Sequence, residues 1–117
     1  MAGPRTTKAN FVDQLVEAVP ESESTVVEHL DYFDELLLHL LMADLLRFAT
    51  ASFANGRTDI SDRLLRFVDA SLTGGDEYIQ NAVKVSFVEH FSAWPGETPE
   101  FLDTWPLALR SALEAFR

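Results

Sequence analysis

The run Phe33 to Ala54, "FDELLLHLLMADLLRFATASFA", is the longest and most apolar periodic stretch of the chain. At about 100° per residue, Leu38, Leu41, Met42, Leu45, Ala49 and Phe53 share one wide face, and Asp44, Arg47 and Asn55 fall opposite it. A helix with so broad an apolar face is expected at the centre of a domain, with neighbours around most of its circumference. Its greasiest part, Leu36 to Leu46, is about 11 residues long and is broken by His39 and Asp44, well short of the ~20 needed to cross a bilayer. Asn55-Gly56 supplies a stop signal.

The flanking sequence reads as further helices joined by short turns, with no strand-like alternation of any length and no repeat. Before the central run, Lys8 to Val19 places Phe11, Val12, Leu15, Val16 and Val19 on one stripe after a Thr7 cap and ends at Pro20. A shorter helix follows Ser22 or Ser24 with Val26, Val27 and Leu30 inward, and Asp31 offers a break. After it, Thr58 or Asp59 caps a helix striped by Ile60, Leu64, Phe67, Val68 and Leu72, whose outer face pairs Asp59 with Arg63 and Asp62 with Arg66. Gly74-Gly75 turns the chain, Asp76 caps a helix from Glu77 to Ser92, and Trp94-Pro95-Gly96 stops it. Thr98-Pro99 and Trp105-Pro106 open the last two helical segments. The expected fold is all-α: a compact irregular helical bundle, or stacked helical hairpins, of five to seven helices. Residues 1–7 are expected to be a short flexible tail and residues 8–117 a single domain.

Composition narrows the function. The chain has no cysteine, which excludes disulfides, thiolate metal sites and a thiol nucleophile. The net charge is −10, and residues 11 to 46 hold nine acidic side chains and no Lys or Arg. Such a field repels phosphate backbones and anionic membranes, so no direct nucleic-acid binding and no membrane association are expected, whereas a basic protein partner is attracted. No signal peptide opens the sequence, so a cytoplasmic location is expected.

The helix containing "QNAVKVSFVEHF", Gln80 to Phe91, holds the polar residues that most resemble a working site. With Ile79 set at about 0°, a straight α-helix puts Ala82, Val83, Ser86, Phe87, His90 and Trp94 between about 300° and 80°, with Glu89 near 280° and Asn81, Lys84, Val85 and Val88 near 140° to 240°. Ser86 and His90 then lie one turn apart inside the core stripe. Without an orienting residue or free backbone donors they form no triad, and the pair reads as polar stitching of a core helix. Val85 and Val88 need a cover, from another helix or from a second copy of the chain, so monomer and homodimer both stay open. His39 reads as a buried or half-buried side chain holding one hydrogen bond, and Asp44 with Arg47 as an ordinary ion pair, the alternative being that the two border a groove.

Metal-binding patterns are missing. Glu35 and His39 are four apart rather than three, Glu28-His29 and Glu89-His90 are adjacent, and there is no His-Glu-x-x-His. No metal and no cofactor are expected.

In "QNAVKVSFVEHF", Trp94 and "WPLALR" (Trp105 to Arg110), together with "LLLHLLMADLLRF", the chain resembles a set of small, uncharacterised, all-helical bacterial proteins over about residues 34 to 110. In size, class and charge it is similar to immunity proteins encoded near bacterial toxins. That resemblance implies a non-enzymatic protein that masks a basic toxin. The expected contact set is Glu21, Glu23, Glu28, Asp31, Asp34 and Glu35, with Tyr32 and Phe33 as aromatic anchors. The alternative expectation is a small helical enzyme or ligand-binding bundle using His39, Glu89 and His90 around an internal pocket.

Overall fold

The central helix forms over Leu38–Ala54, most of the run expected for it, and the rest of the chain is built around it. The computed structural model describes residues 5–91 and 98–116. In order, the helices are α1 (Phe11–Ala18), α2 (Glu23–Phe33), α3 (Leu38–Ala54), α4 (Thr58–Gly74), α5 (Glu77–Val83), α6 (Pro99–Leu102) and α7 (Leu107–Phe116). A 3-10 turn, Pro20–Ser22, joins α1 to α2, and a π turn, Lys84–Val88, continues α5. No strand occurs among the described residues, so the fold is all-α, an irregular helical bundle. Its radius of gyration, 13.2 Å, matches the ~13 Å of one compact domain of this length.

Helix α3 packs against α2, α4, α5 and the π turn. It buries Leu38, Leu41, Met42, Leu45, Leu46 and Ala49. It ends as the Asn55-Gly56 signal implies: Gly56 takes φ +80°, its N–H donates to Phe53 O at 3.1 Å, and Arg57 N–H donates to Ser52 O at 2.8 Å. That is a Schellman ending, which satisfies the carbonyls the helix leaves open.

Helix α2 runs past Asp31, where a break was expected, and stops at Asp34. Asp34 adopts the left-handed conformation, φ 63°, and its N–H closes the last turn on Leu30 O at 2.8 Å. Asp tolerates that region better than most side chains, so the chain turns there and α3 begins at Leu38 instead of Phe33. The Asp76 and Thr98 caps form as read, their side-chain oxygens accepting from Ile79 N–H at 2.9 Å and Phe101 N–H at 3.2 Å. Helix α7 is capped from a distance, with Asp69 of α4 accepting from Leu109 N–H at 3.0 Å.

Trp94 and the Trp94-Pro95-Gly96 stop lie outside the described residues. Within the segment read as a tail, Arg5 donates to Gly75 O at 3.0 Å and Thr6 O accepts from Asp76 N–H at 3.0 Å.

Candidate functional site

The helix from Glu77 departs from a straight α-helix, and the departure rearranges its polar residues. Glu89 N–H donates to Lys84 O at 3.1 Å, five residues back, which inserts one extra residue into the turn. Later side chains rotate by about 100° relative to the straight-helix reading. Val88 moves from the outer face into the core, at 1% exposure, and Phe91 joins the rings of Phe101 and Trp105. Glu89 and His90 move outward and are exposed. The expectation that His90 lies in the core stripe is therefore corrected. Val85 stays 39% exposed.

Ser86 remains buried, but its partner is not His90. It sits 2.8 Å from His39 Nδ1, across from α3 and 47 residues away in sequence. His39 is half-buried with that one bond and the edge of Tyr78 against its ring, as its position in α3 implies. Glu89 lines a separate shallow cleft with Lys84, Val88 and the α7 residues Ala112, Ala115 and Phe116. Among the described residues, no group of three or more His, Asp and Glu side chains is arranged to hold a metal ion.

The acidic set lies mainly on α2. Glu23, Glu28, Asp31, Asp34 and Glu35 are exposed, and none has an ion-pair partner among the described residues. Glu21 differs. Both its oxygens accept from Arg63 of α4, at 3.0 and 2.6 Å, and this charged hydrogen bonding holds its carboxyl below the ordinary value while raising Arg63. Arg63 thus serves Glu21 ahead of its helical neighbour Asp59, which it approaches at 3.6 Å. Arg66 donates to the backbone carbonyl of Asp62, at 3.4 Å, instead of its carboxylate.

Between α2 and α3 lies an open cleft of about 500 Å³. Thr25, Glu28, His29, Tyr32 and Phe33 line it from α2, and Asp44, Arg47 and Phe48 from α3. Three of these, Glu28, Tyr32 and Phe33, belong to the predicted contact set, and the Asp44–Arg47 ion pair lies along the cleft, which was the alternative to an ordinary surface pair. Tyr32 is 82% exposed and meets Phe33 edge-on at 4.7 Å, and Phe33 lies 4.9 Å from the His29 ring.

His29 is the residue that sequence reasoning missed. Its Nε2 accepts from Leu37 N–H at 3.0 Å, which ties the α2–α3 turn to the preceding helix and leaves the ring proton on Nδ1. That nitrogen is buried without a hydrogen-bond partner among the described residues, 3.6 Å from Asp44 Oδ2. The available signal was its spacing: three residues after Val26, His29 shares the buried stripe of α2.

The fold and this face define a small, acidic, all-helical bundle with an aromatic-lined cleft on one side. The chain belongs to the family described as a domain of unknown function (DUF7674), whose model matches residues 12–117. The match takes in every acidic residue from Asp13 onward and the whole cleft. Comparison with curated proteins gives no match, and neither does comparison with solved structures.

Proposed function

We propose that this is a non-enzymatic binding domain whose α2 face engages a basic protein partner, acting in a bacterium as an immunity-type protein that neutralises a basic toxin. The observation that carries the reading is the set of five exposed acids, Glu23, Glu28, Asp31, Asp34 and Glu35, on α2 and just after it, without ion-pair partners among the described residues. Crowded like charges cost a fold a few tenths of a kcal/mol per pair on a helix surface. Such a face accelerates encounter with an opposite charge and rejects wrong partners. Tyr32, largely exposed on the same helix, has the amphipathic character of an interface anchor.

Co-expression with the product of the neighbouring gene tests this. The chain should form a stoichiometric complex with that product and suppress its toxicity. A neighbour that is neither toxic nor bound by this chain contradicts the reading.

A further inference from the structure

We propose that the α2–α3 cleft is the anchor pocket of that interface and receives an arginine-bearing peptide segment of the partner. This rests on the protein-binding reading and adds to it a location and a chemistry. The volume, about 500 Å³, falls within the roughly 300–1,000 Å³ of ligand clefts.

Three features of the cleft select the occupant. Tyr32, Phe33 and Phe48 offer aromatic surface, and the exposed Glu28 has no ion-pair partner among the described residues. Aromatic faces beside a carboxylate suit a guanidinium, which stacks through its plane and bonds a carboxylate through its fork. The inner carboxylate, Asp44, is already matched by Arg47, so the incoming cation is directed to Glu28.

The third feature is the buried Nδ1–H of His29. The residue is 2% exposed, lines the cleft, and its Nδ1 has no hydrogen-bond partner among the described residues. A buried donor left unpaired destabilises a fold by about 1–3 kcal/mol. A cation alone does not relieve it, because the need is for an acceptor. A peptide segment supplies both groups: its guanidinium meets Glu28, and a main-chain carbonyl is the acceptor His29 lacks, entering beside Asp44 Oδ2, which lies 3.6 Å from the same nitrogen. The charge points the same way, since residues 11 to 46 carry nine acids and no Lys or Arg.

The probe is the blocked tripeptide acetyl-Gly-Arg-Gly-amide, titrated into the full chain and followed by NMR. Saturable shifts are expected at the Leu37 amide, which reports on His29, and at Phe33 and Phe48, with a dissociation constant of about 1 mM. The citrulline peptide, same shape without the charge, should bind about tenfold more weakly. Glu28→Gln and Tyr32→Ala should each weaken binding about fivefold while leaving the melting temperature unchanged, since both side chains are exposed. Shifts confined to Glu23, Asp31 and Glu35 with a silent cleft overturn the pocket and leave the acidic-face reading standing. Absence of shifts anywhere overturns both, and equal affinity for the citrulline peptide overturns the assignment of a cation.

Discussion

Replacing Val88 by Ala and, separately, His90 by Ala separates the π-turn structure from a straight helix, because the two geometries exchange these side chains between core and solvent. In the π geometry Val88 is 1% exposed and His90 is exposed. Removing two buried methyl groups costs about 1.6 kcal/mol in transfer free energy. The cavity they leave brings the loss to about 2–3 kcal/mol, because the rings and aliphatic side chains around it relax only in part. His90→Ala removes an exposed side chain and should stay within about 0.5 kcal/mol of the parent. Urea denaturation followed by circular dichroism reads both, with the midpoint lowered for Val88→Ala at an unchanged slope. In a thermal melt the Val88 loss corresponds to a drop on the order of 10 °C. The reverse order, with His90→Ala costly and Val88→Ala silent, would refute the π turn and restore the continuous helix.

Other expectations follow from individual contacts. Ser86→Ala and His39→Ala should each cost about 1 kcal/mol, and the double variant should cost clearly less than their sum, as a double-mutant cycle in urea would measure. Glu21→Gln should destabilise at neutral pH. The Glu21 carboxyl is depressed in the folded state, so its contribution is present above the ordinary carboxylate pKa and fades as pH falls through the lower, folded value. The gap in melting temperature between parent and variant should therefore close as pH falls below the ordinary glutamate value of about 4.3, and a gap constant with pH would contradict the Arg63 contact. At the α4–α5 turn, a methyl group on Gly75 would meet Ser71 O at 2.5 Å and Ile79 at 2.6 Å, whereas one on Gly74 meets nothing within 4 Å. Gly75→Ala should lower the melting temperature and Gly74→Ala should raise stability by about 0.4–1 kcal/mol, both read in the same melt.

What could be read from the sequence divides along a physical line. The broad face of α3, the stripe of α4, the Gly56 ending and the Asp76 and Thr98 caps all depend on residues a few positions apart, and all are where periodicity and capping chemistry put them. Some departures are local, as where α2 runs past Asp31 and where α1 and α4 start without the Thr7 and Thr58 or Asp59 caps, but those that rearrange the polar residues involve choices made between distant segments. Arg63 had a local partner in Asp59, but the carboxylate of Glu21, 42 residues away, offers it two hydrogen bonds. Ser86 had His90 one turn ahead, and the π turn sends His90 outward while His39 arrives from α3. A straight-helix wheel has no term for an inserted residue, so Val88 appeared to need an outside cover that the turn itself provides. The cleft is a third case. Glu28, Tyr32 and Phe33 were legible as an acidic aromatic patch, but their meeting with His29 and Phe48 depends on how α2 crosses α3.

The measurement closest to the central claim is the salt dependence of association between this chain and its basic partner, with Glu23, Glu28, Asp31, Asp34 and Glu35 intact or all replaced by Gln or Asn. The parent should associate quickly at low ionic strength and slow steeply as salt screens the α2 face, beyond a Debye length of about 8 Å at physiological salt. The five-site variant, folded to the same helicity, should associate at least about tenfold more slowly at low salt and respond only weakly to added salt. Equal rates and equal salt slopes for the two proteins would contradict the assignment of this face as the binding surface.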